Sequence, residues 1–238
     1  MDSRPVLSCI VFDVDGTLVD SANDIAIAVN RWRASVEAED IDTDLVRLLL
    51  GQGLFGLLDR AAEGVLSSSP AARMEQAYSG FVAAYADVGT SNSNLYDGVT
   101  DALRYWRDQG VALVALTDKP HRLTKDVLER FGILEYFDAI ARRGHLDDRG
   151  RRVKSSDGGD VFQFVVDQTG AALEETWLVG DGIADVEMAN EAGGPYLCVH
   201  SGYSTREELL AAGCDLGLAV ADFEAADQFL RRMTRVWH

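Results

Sequence analysis

Basic residues are in short supply in this chain. It has 22 Lys and Arg against 39 Asp and Glu, a formal charge of -17. The attraction that draws basic proteins to phosphate backbones is therefore missing, and the balance argues against nucleic acid as a partner. The same excess repels free phosphorylated metabolites, so any anion site must carry local positive charge from a metal, a lysine or backbone N–H groups. Lysine is scarcer still: Lys119, Lys125 and Lys154 are the only ones. Cysteine is limited to Cys9, Cys198 and Cys214. Their odd number, the absence of CxxC spacing, and the apolar runs around the first two point to free thiols and not to a disulfide framework. No apolar stretch approaches the roughly 20 residues that span a bilayer, and the first residues lack a basic segment followed by a long apolar one. A cytoplasmic protein with no membrane partner is the expectation.

With 238 residues and 47% hydrophobic content, the chain can bury one large core, or a core carrying a smaller insertion. Leu7–Gly16 is an apolar run that ends abruptly in acidic residues and a glycine, the pattern of a strand buried on both faces whose carboxyl end opens into a polar crevice. From about 21 to 94 the apolar spacing is helical, with no convincing strand. Beyond Leu95, strands such as Val111–Thr117, Thr176–Asp181 and Pro195–His200 alternate with helices. The fold class expected is α/β: a doubly wound, mostly parallel Rossmann-like sheet with an all-helical insertion. The simplest division is a core of 1–20 and 95–238 with a cap of 21–94. An insertion after the first strand would lie over the carboxyl ends of the strands, where open α/β sheets bind ligands.

Four constellations carry chemistry. In Asp13-Val14-Asp15-Gly16-Thr17, two acids two apart on a strand point to the same side, and Gly16 permits the turn that aims both at one substrate. Thr117 ends a strand and precedes Asp118-Lys119-Pro120 and a helix, where a hydroxyl and oriented N–H groups can meet a phosphate. A lysine could neutralise a phosphoryl group as a compact point charge. Asp181 ends a buried strand and Asp185 follows on the first helical turn, an oxygen-rich pair suited to a hard cation.

FDVDGTLVDS (12–21) resembles the N-terminal motif of the haloacid dehalogenase-like phosphatases, and GDGIADVEMANEAG (180–193) resembles their fourth motif, with glycine where serine is often found at 182. Thr117 falls where that family has its second motif. Lys154, before the helix that precedes Thr176–Asp181, falls where it has its third, although the proline that usually follows is replaced by Ser155; Lys119 stays open as the alternative. LVDSANDI (18–25), LGQGL (50–54), NLYDGV (94–99) and HSGY (200–203) look most like the phosphoglycolate phosphatase branch.

The resemblance implies a phosphomonoester hydrolase acting on a small phosphorylated metabolite such as 2-phosphoglycolate. Its catalytic residues would be Asp13, Asp15, Thr117 and Lys154. Mg²⁺ would be held by Asp13, the Asp15 carbonyl and Asp181, with Asp185 acting mainly from behind them. Asp13 would be the nucleophile, transiently phosphorylated, and Asp15 the acid and base. The helical cap would act as a lid, offering Arg47, Gln52 or Arg60 to the leaving group. A phosphomutase, or a catalytically weak binding protein of the same fold, are the alternatives.

Overall fold

A computed structural model describes residues 5–66, 69–143, 158–234 and 236. A six-stranded sheet is built from β1 (Cys9–Asp13), β4 (Ala112–Thr117), β5 (Ala139–Arg142), β6 (Thr176–Gly180), β7 (Tyr196–Val199) and β8 (Ala219–Val220). The order is β5-β4-β1-β6-β7-β8, and every neighbouring pair is parallel. From β1 the chain winds outward through β4 and β5, then returns to β6 on the other side of β1. That reversal makes the β1–β6 boundary a topological switch point, the place where such sheets open a crevice at their carboxyl ends.

The alternation of side chains along the strands divides the core in two. Ile10, Phe12, Leu113, Ala115, Val179, Leu197 and Val199 join one apolar cluster, and Cys9, Val11, Val114, Leu116, Leu178 and Cys198 join the other, so each strand is buried on both faces. The second face is covered by α7 (Gly158–Thr169) and α8 (Ile183–Ala192), with α9 (Arg206–Ala211) beside α8. The first face carries α5 (Val99–Asp108) and α10 (Phe223–Met233), with α6 (His121–Arg130) following β4. Helix α10 was not read from the sequence, although Phe223, Ala226 and Leu230 have helical spacing and Asp222 accepts the Ala225 N–H as an N-cap.

Between β1 and β4 the chain forms α1 (Ala22–Ser35), α2 (Thr43–Leu50), α3 (Leu54–Ala62) and α4 (Pro70–Val88), which pack mainly on one another. The two segments that lead into and out of these helices pair as a short antiparallel ribbon, β2 (Val19–Asp20) with β3 (Asn94–Leu95). Asp24, fully buried at the start of α1, accepts hydrogen bonds from the Asn92 backbone and side chain and from Ser93 Oγ, tying the ribbon's two strands at their helical end. The three cysteines are free, as the sequence suggested, and Cys214 is buried along with the two in apolar runs. No helix among the described residues is long and apolar enough to cross a membrane.

Candidate active site

Parallel register brings the strand ends to one level. Asp13 lies opposite Leu116, Thr117 lies opposite Arg142, and Arg143 continues β5 with its N–H donated to the Thr117 carbonyl at 3.0 Å. On the other side of β1, β6 delivers Gly180 and then Asp181. The sequence-predicted residues Asp13, Asp15, Asp181 and Asp185 are thereby gathered around one cavity, together with Asp118, Lys119 and Arg143. Thr117 is buried beneath, its Oγ1 accepting the Lys119 N–H at 3.0 Å. Lys154 lies outside the described residues.

One carboxylate oxygen from each of Asp13, Asp181 and Asp185 lies within 4.8 Å of the others, and all three residues are buried. Asp181 is held rigidly. Thr17 Oγ1 donates to its Oδ1 at 2.9 Å and the Tyr203 N–H to its Oδ2 at 2.7 Å. Glycines make room for it: a Cβ at Gly16 would fall 2.2 Å from Asp181 Oδ2, and one at Gly202 would fall 2.3 Å from the same atom. Gly16 also has φ +94°, so the turn the sequence suggested is required both by backbone conformation and by this close approach. Asp185 Oδ2 accepts the Gly182 N–H at 2.9 Å, and a Cβ at Gly180 would strike its carboxylate.

Packing these acids together costs electrostatic energy. Burial, with Asp185, Asp181 and Asp15 as neighbours, holds the Asp13 carboxyl well above its usual range, and Arg143 only partly offsets this. Asp181 is pushed up to about 7, by burial first and then by Asp185. A cation relieves this repulsion. The donors are all oxygen and fixed by glycine-lined cradles, which suits a hard divalent ion and not a soft one.

The two acids of the first motif have different partners. Asp13 Oδ1 accepts from Arg143 Nη2, and Arg143 Nη1 donates to Asp185 Oδ1. Arg143 Nε lies 3.7 Å from Asp118 Oδ1. Although burial opposes its charge, Asp13, Asp185 and Asp118 raise the Arg143 pKa, so the guanidinium stays protonated. Asp15 Oδ1 instead accepts from Lys119 Nζ at 2.5 Å and from Ser21 Oγ. Lys119 is 1% exposed and also donates to Tyr85 Oη of α4 at 2.9 Å, with its ammonium over the Tyr85 ring.

Arg143 was missed in the sequence. Its only local sign was a pair of arginines closing the apolar run Ala139–Ala141, and nothing short of the β4–β5 register reveals that the second one reaches Asp13.

The roof of the cavity comes from α1 to α3: Ile25, Leu50, Gly53 and Leu54. The residues the sequence proposed for this side lie elsewhere. Arg47 pairs with Asp20 at 3.1 Å, Gln52 is exposed, and Arg60 is an exposed partner of Glu63. Backbone contacts seat the roof on the core. The Gly51 carbonyl accepts from the Ile183 N–H at 3.1 Å and from Ser204 Oγ at 3.3 Å, and the Asp118 carboxylate accepts the Leu54 N–H at the start of α3. The space left between floor and roof is about 40 Å³, room for a few waters.

A sheet with its switch point at an aspartate-bearing strand end, and a second aspartate on the neighbouring strand, defines a class of hydrolase. The haloacid dehalogenase-like hydrolase family model matches residues 7–193, and the chain belongs to that family. It is 33% identical over 199 residues to a phosphoglycolate phosphatase of Pseudomonas fluorescens, covering 82% of this chain and 70% of the relative. It is 28% identical over 214 residues to a phosphoglycolate phosphatase of Agrobacterium fabrum, covering 86% and 85%. In structure it is similar to a chain from Haemophilus somnus described as a predicted phosphoglycolate phosphatase, with TM-score 0.78, 23% identity, and 94% and 97% of the two chains covered. The fold and the family expected from the sequence are thus found, and the relatives make the chain a phosphatase within that family.

Proposed function

We propose that the chain hydrolyses a small phosphomonoester with the help of Mg²⁺, and that Asp13 is the nucleophile. The observation that carries this reading is the buried trio of oxygens from Asp13, Asp181 and Asp185 at the switch point of the sheet. The curated relatives support a compact anionic substrate of the 2-phosphoglycolate kind.

In this reading a carboxylate oxygen of Asp13 attacks phosphorus, the new P–O bond forms, and the ester P–O bond opposite it breaks. Asp15 gives its proton to the departing oxygen. Water then attacks the phosphorus of the aspartyl-phosphate, Asp15 takes a proton from that water, and Asp13 is released as a carboxylate. Lys119 and Ser21 hold Asp15 by Oδ1, which leaves Oδ2 to exchange the proton. Asp13, the backbone carbonyl of Asp15, Asp181 and Asp185 are the groups that would hold Mg²⁺, which supplies charge neutralisation for the transferring group. Thr117 completes the floor beneath the phosphate.

The division into a core of 1–20 and 95–238 and a lid of 21–94 belongs to the same proposal. In it, α1 to α4 would move on the β2–β3 ribbon to admit substrate and close again to exclude water. The test is phosphate release from a panel of 2-phosphoglycolate, phosphosugars, nucleotides and an aryl phosphate, with and without Mg²⁺. Turnover that needs the metal and is lost in Asp13→Asn is the expected result. No turnover of even the aryl ester would overturn the reading.

A further inference from the structure

We propose that Tyr85 of α4 is a positioning residue for proton transfer: it holds Lys119, and through Lys119 it sets the orientation in which Asp15 faces the leaving oxygen. The inference rests on the hydrolase reading above, in which Asp15 is the acid, and adds to it a residue from outside the cavity.

Asp15 must present one carboxylate oxygen to the ester and keep it there. Its support is Lys119, whose Nζ donates to Oδ1 at 2.5 Å, with Ser21 Oγ donating to the same oxygen. A lysine by itself is a poor support, because its ammonium sits on a flexible stem. This one is fixed at both ends. Its N–H is donated to Thr117 Oγ1 at 3.0 Å, and its Nζ donates to Tyr85 Oη at 2.9 Å and lies 4.5 Å from the centre of the Tyr85 ring. Lys119 and Tyr85 are each 1% exposed, so little water competes for these bonds. Although burial opposes its charge, Asp15 and then Tyr85 raise the Lys119 pKa, and the ammonium stays a donor to both.

A second tyrosine on the same helix shows what is particular to Tyr85. Tyr78, Phe81 and Tyr85 form a buried stripe of α4 at helical spacing. Tyr78 Oη accepts from Arg142 Nη2 at 3.0 Å, so both tyrosines seat α4 on a basic side chain of the core. Only one of these seats leads to the reaction. Arg142 has the Asp118 carbonyl as its other partner, at 3.5 Å, whereas Lys119 has the proton-transfer acid. Tyr85 does not line the cavity and acts through Lys119. Without its hydroxyl the ammonium can pivot on the lysine stem, and the Asp15 carboxylate turns with it. A small misplacement of a reacting group costs up to about 10²-fold in rate.

The experiment measures kcat/KM on one alkyl and one aryl phosphate in Mg²⁺, with thermal scans as a control for folding. It compares wild type, Tyr85→Phe, Tyr78→Phe, Lys119→Met and the double variant of Tyr85→Phe with Lys119→Met. Both phenylalanine variants keep the ring and lose one bond between α4 and the core. Tyr85→Phe is expected to lower kcat/KM on the alkyl ester by about 10–100-fold more than on the aryl ester, whose leaving oxygen needs no proton. Tyr78→Phe is expected to lower both esters by the same factor, the mark of looser seating of α4 alone. In the Lys119→Met background Tyr85→Phe is expected to add less than about twofold, because residues that act through one another are not additive. Should Lys119→Met not fold, the comparison of the two phenylalanine variants carries the test. The inference is overturned if Tyr85→Phe separates the two esters by less than about tenfold, if Tyr78→Phe separates them equally, or if the alkyl-specific loss persists in full without Lys119. A wild type that turns over no ester overturns the hydrolase reading and this inference with it. A wild type that turns over both esters, with their ratio unchanged in Tyr85→Phe, overturns the inference alone.

Discussion

The floor of the cavity is made of ionisable groups on strand ends, Asp13, Asp118, Lys119, Arg143 and Asp181, whereas its roof is made of Ile25, Leu50, Gly53 and Leu54 from a separate set of helices. Floor residues are fixed by specific side-chain bonds, Asp181 by Thr17 and Tyr203 and Lys119 by Asp15 and Tyr85. The roof helices are held by apolar burial, by the contacts at the Gly51 carbonyl and by the Lys119 and Arg142 bonds to Tyr85 and Tyr78 of α4. Chemistry needs groups whose positions are settled before the substrate arrives, because preorganised charge costs no rearrangement during reaction. A lid needs the opposite, a seat that can be left and regained at small cost. The comparison therefore expects substitutions in the floor to change rate, and those in the roof to change stability and substrate preference.

The largest effect is expected at the nucleophile. Asp13→Asn should lower kcat by at least about 10⁴-fold with little change in fold, as removal of a nucleophile does; steady-state assays with circular dichroism as a control test this. Next comes Asp15→Asn, expected to cost about 10²–10⁴-fold in kcat/KM, which reports only the transfer to Asp13, on alkyl phosphates and much less on an aryl phosphate, whose leaving oxygen needs no proton. Equal losses on both esters would mean that Asp15 does not act on the leaving group.

In the roof, Leu54→Ala is expected to cost about 2–5 kcal/mol in stability, the usual range for a buried leucine, as read by urea denaturation. Its kcat should stay within about tenfold of wild type, a far smaller loss than that from removing an acid–base group. A rate loss as large as that of Asp15→Asn would erase the distinction between floor and roof.

The smallest effect concerns the metal and pH. Asp181 is raised to about 7 in the fold, against an ordinary value near 4. The folded chain therefore holds a proton that the unfolded chain has released between about pH 4 and 7. This contribution is present at low pH and is lost as pH rises through about 7. Mg²⁺ binds the ionised carboxylates, so its stabilisation should grow across the same window. At about a hundredfold excess over its dissociation constant it is worth about 2.7 kcal/mol, or about 5–10 °C for a chain of this size. Thermal scans should show that shift at pH 8 and almost none at pH 5. A shift that does not depend on pH would separate the metal from these acids.

The same division separates what the sequence makes legible from what only the fold brings together. Asp13, Asp15, Asp181 and Asp185 stand in contiguous motifs, where strand, turn and acid are encoded within a few residues and appear together in the sequence. Arg143 is different, because its partner Asp13 is brought to it only by two parallel pairings, β5 to β4 and β4 to β1. Nothing local to Ala139–Arg143 encodes that meeting. The roof was legible as helices but not as a surface: Ile25, Leu50 and Leu54 follow the same apolar spacing as the residues that merely pack those helices together. The polar residues that looked better suited to a ligand, Arg47 and Arg60, are paired with Asp20 and Glu63 instead.

The most direct test of the central claim is to locate the phosphoryl group during turnover. The protein would be mixed with its best ester and Mg²⁺, quenched in acid within milliseconds, digested, and searched by mass spectrometry for a phosphorylated peptide. Phosphate on the peptide that carries Asp13, removable by hydroxylamine and absent in Asp13→Asn, is the expected result. Phosphate on any other residue, or phosphate release that survives Asp13→Asn, would contradict it.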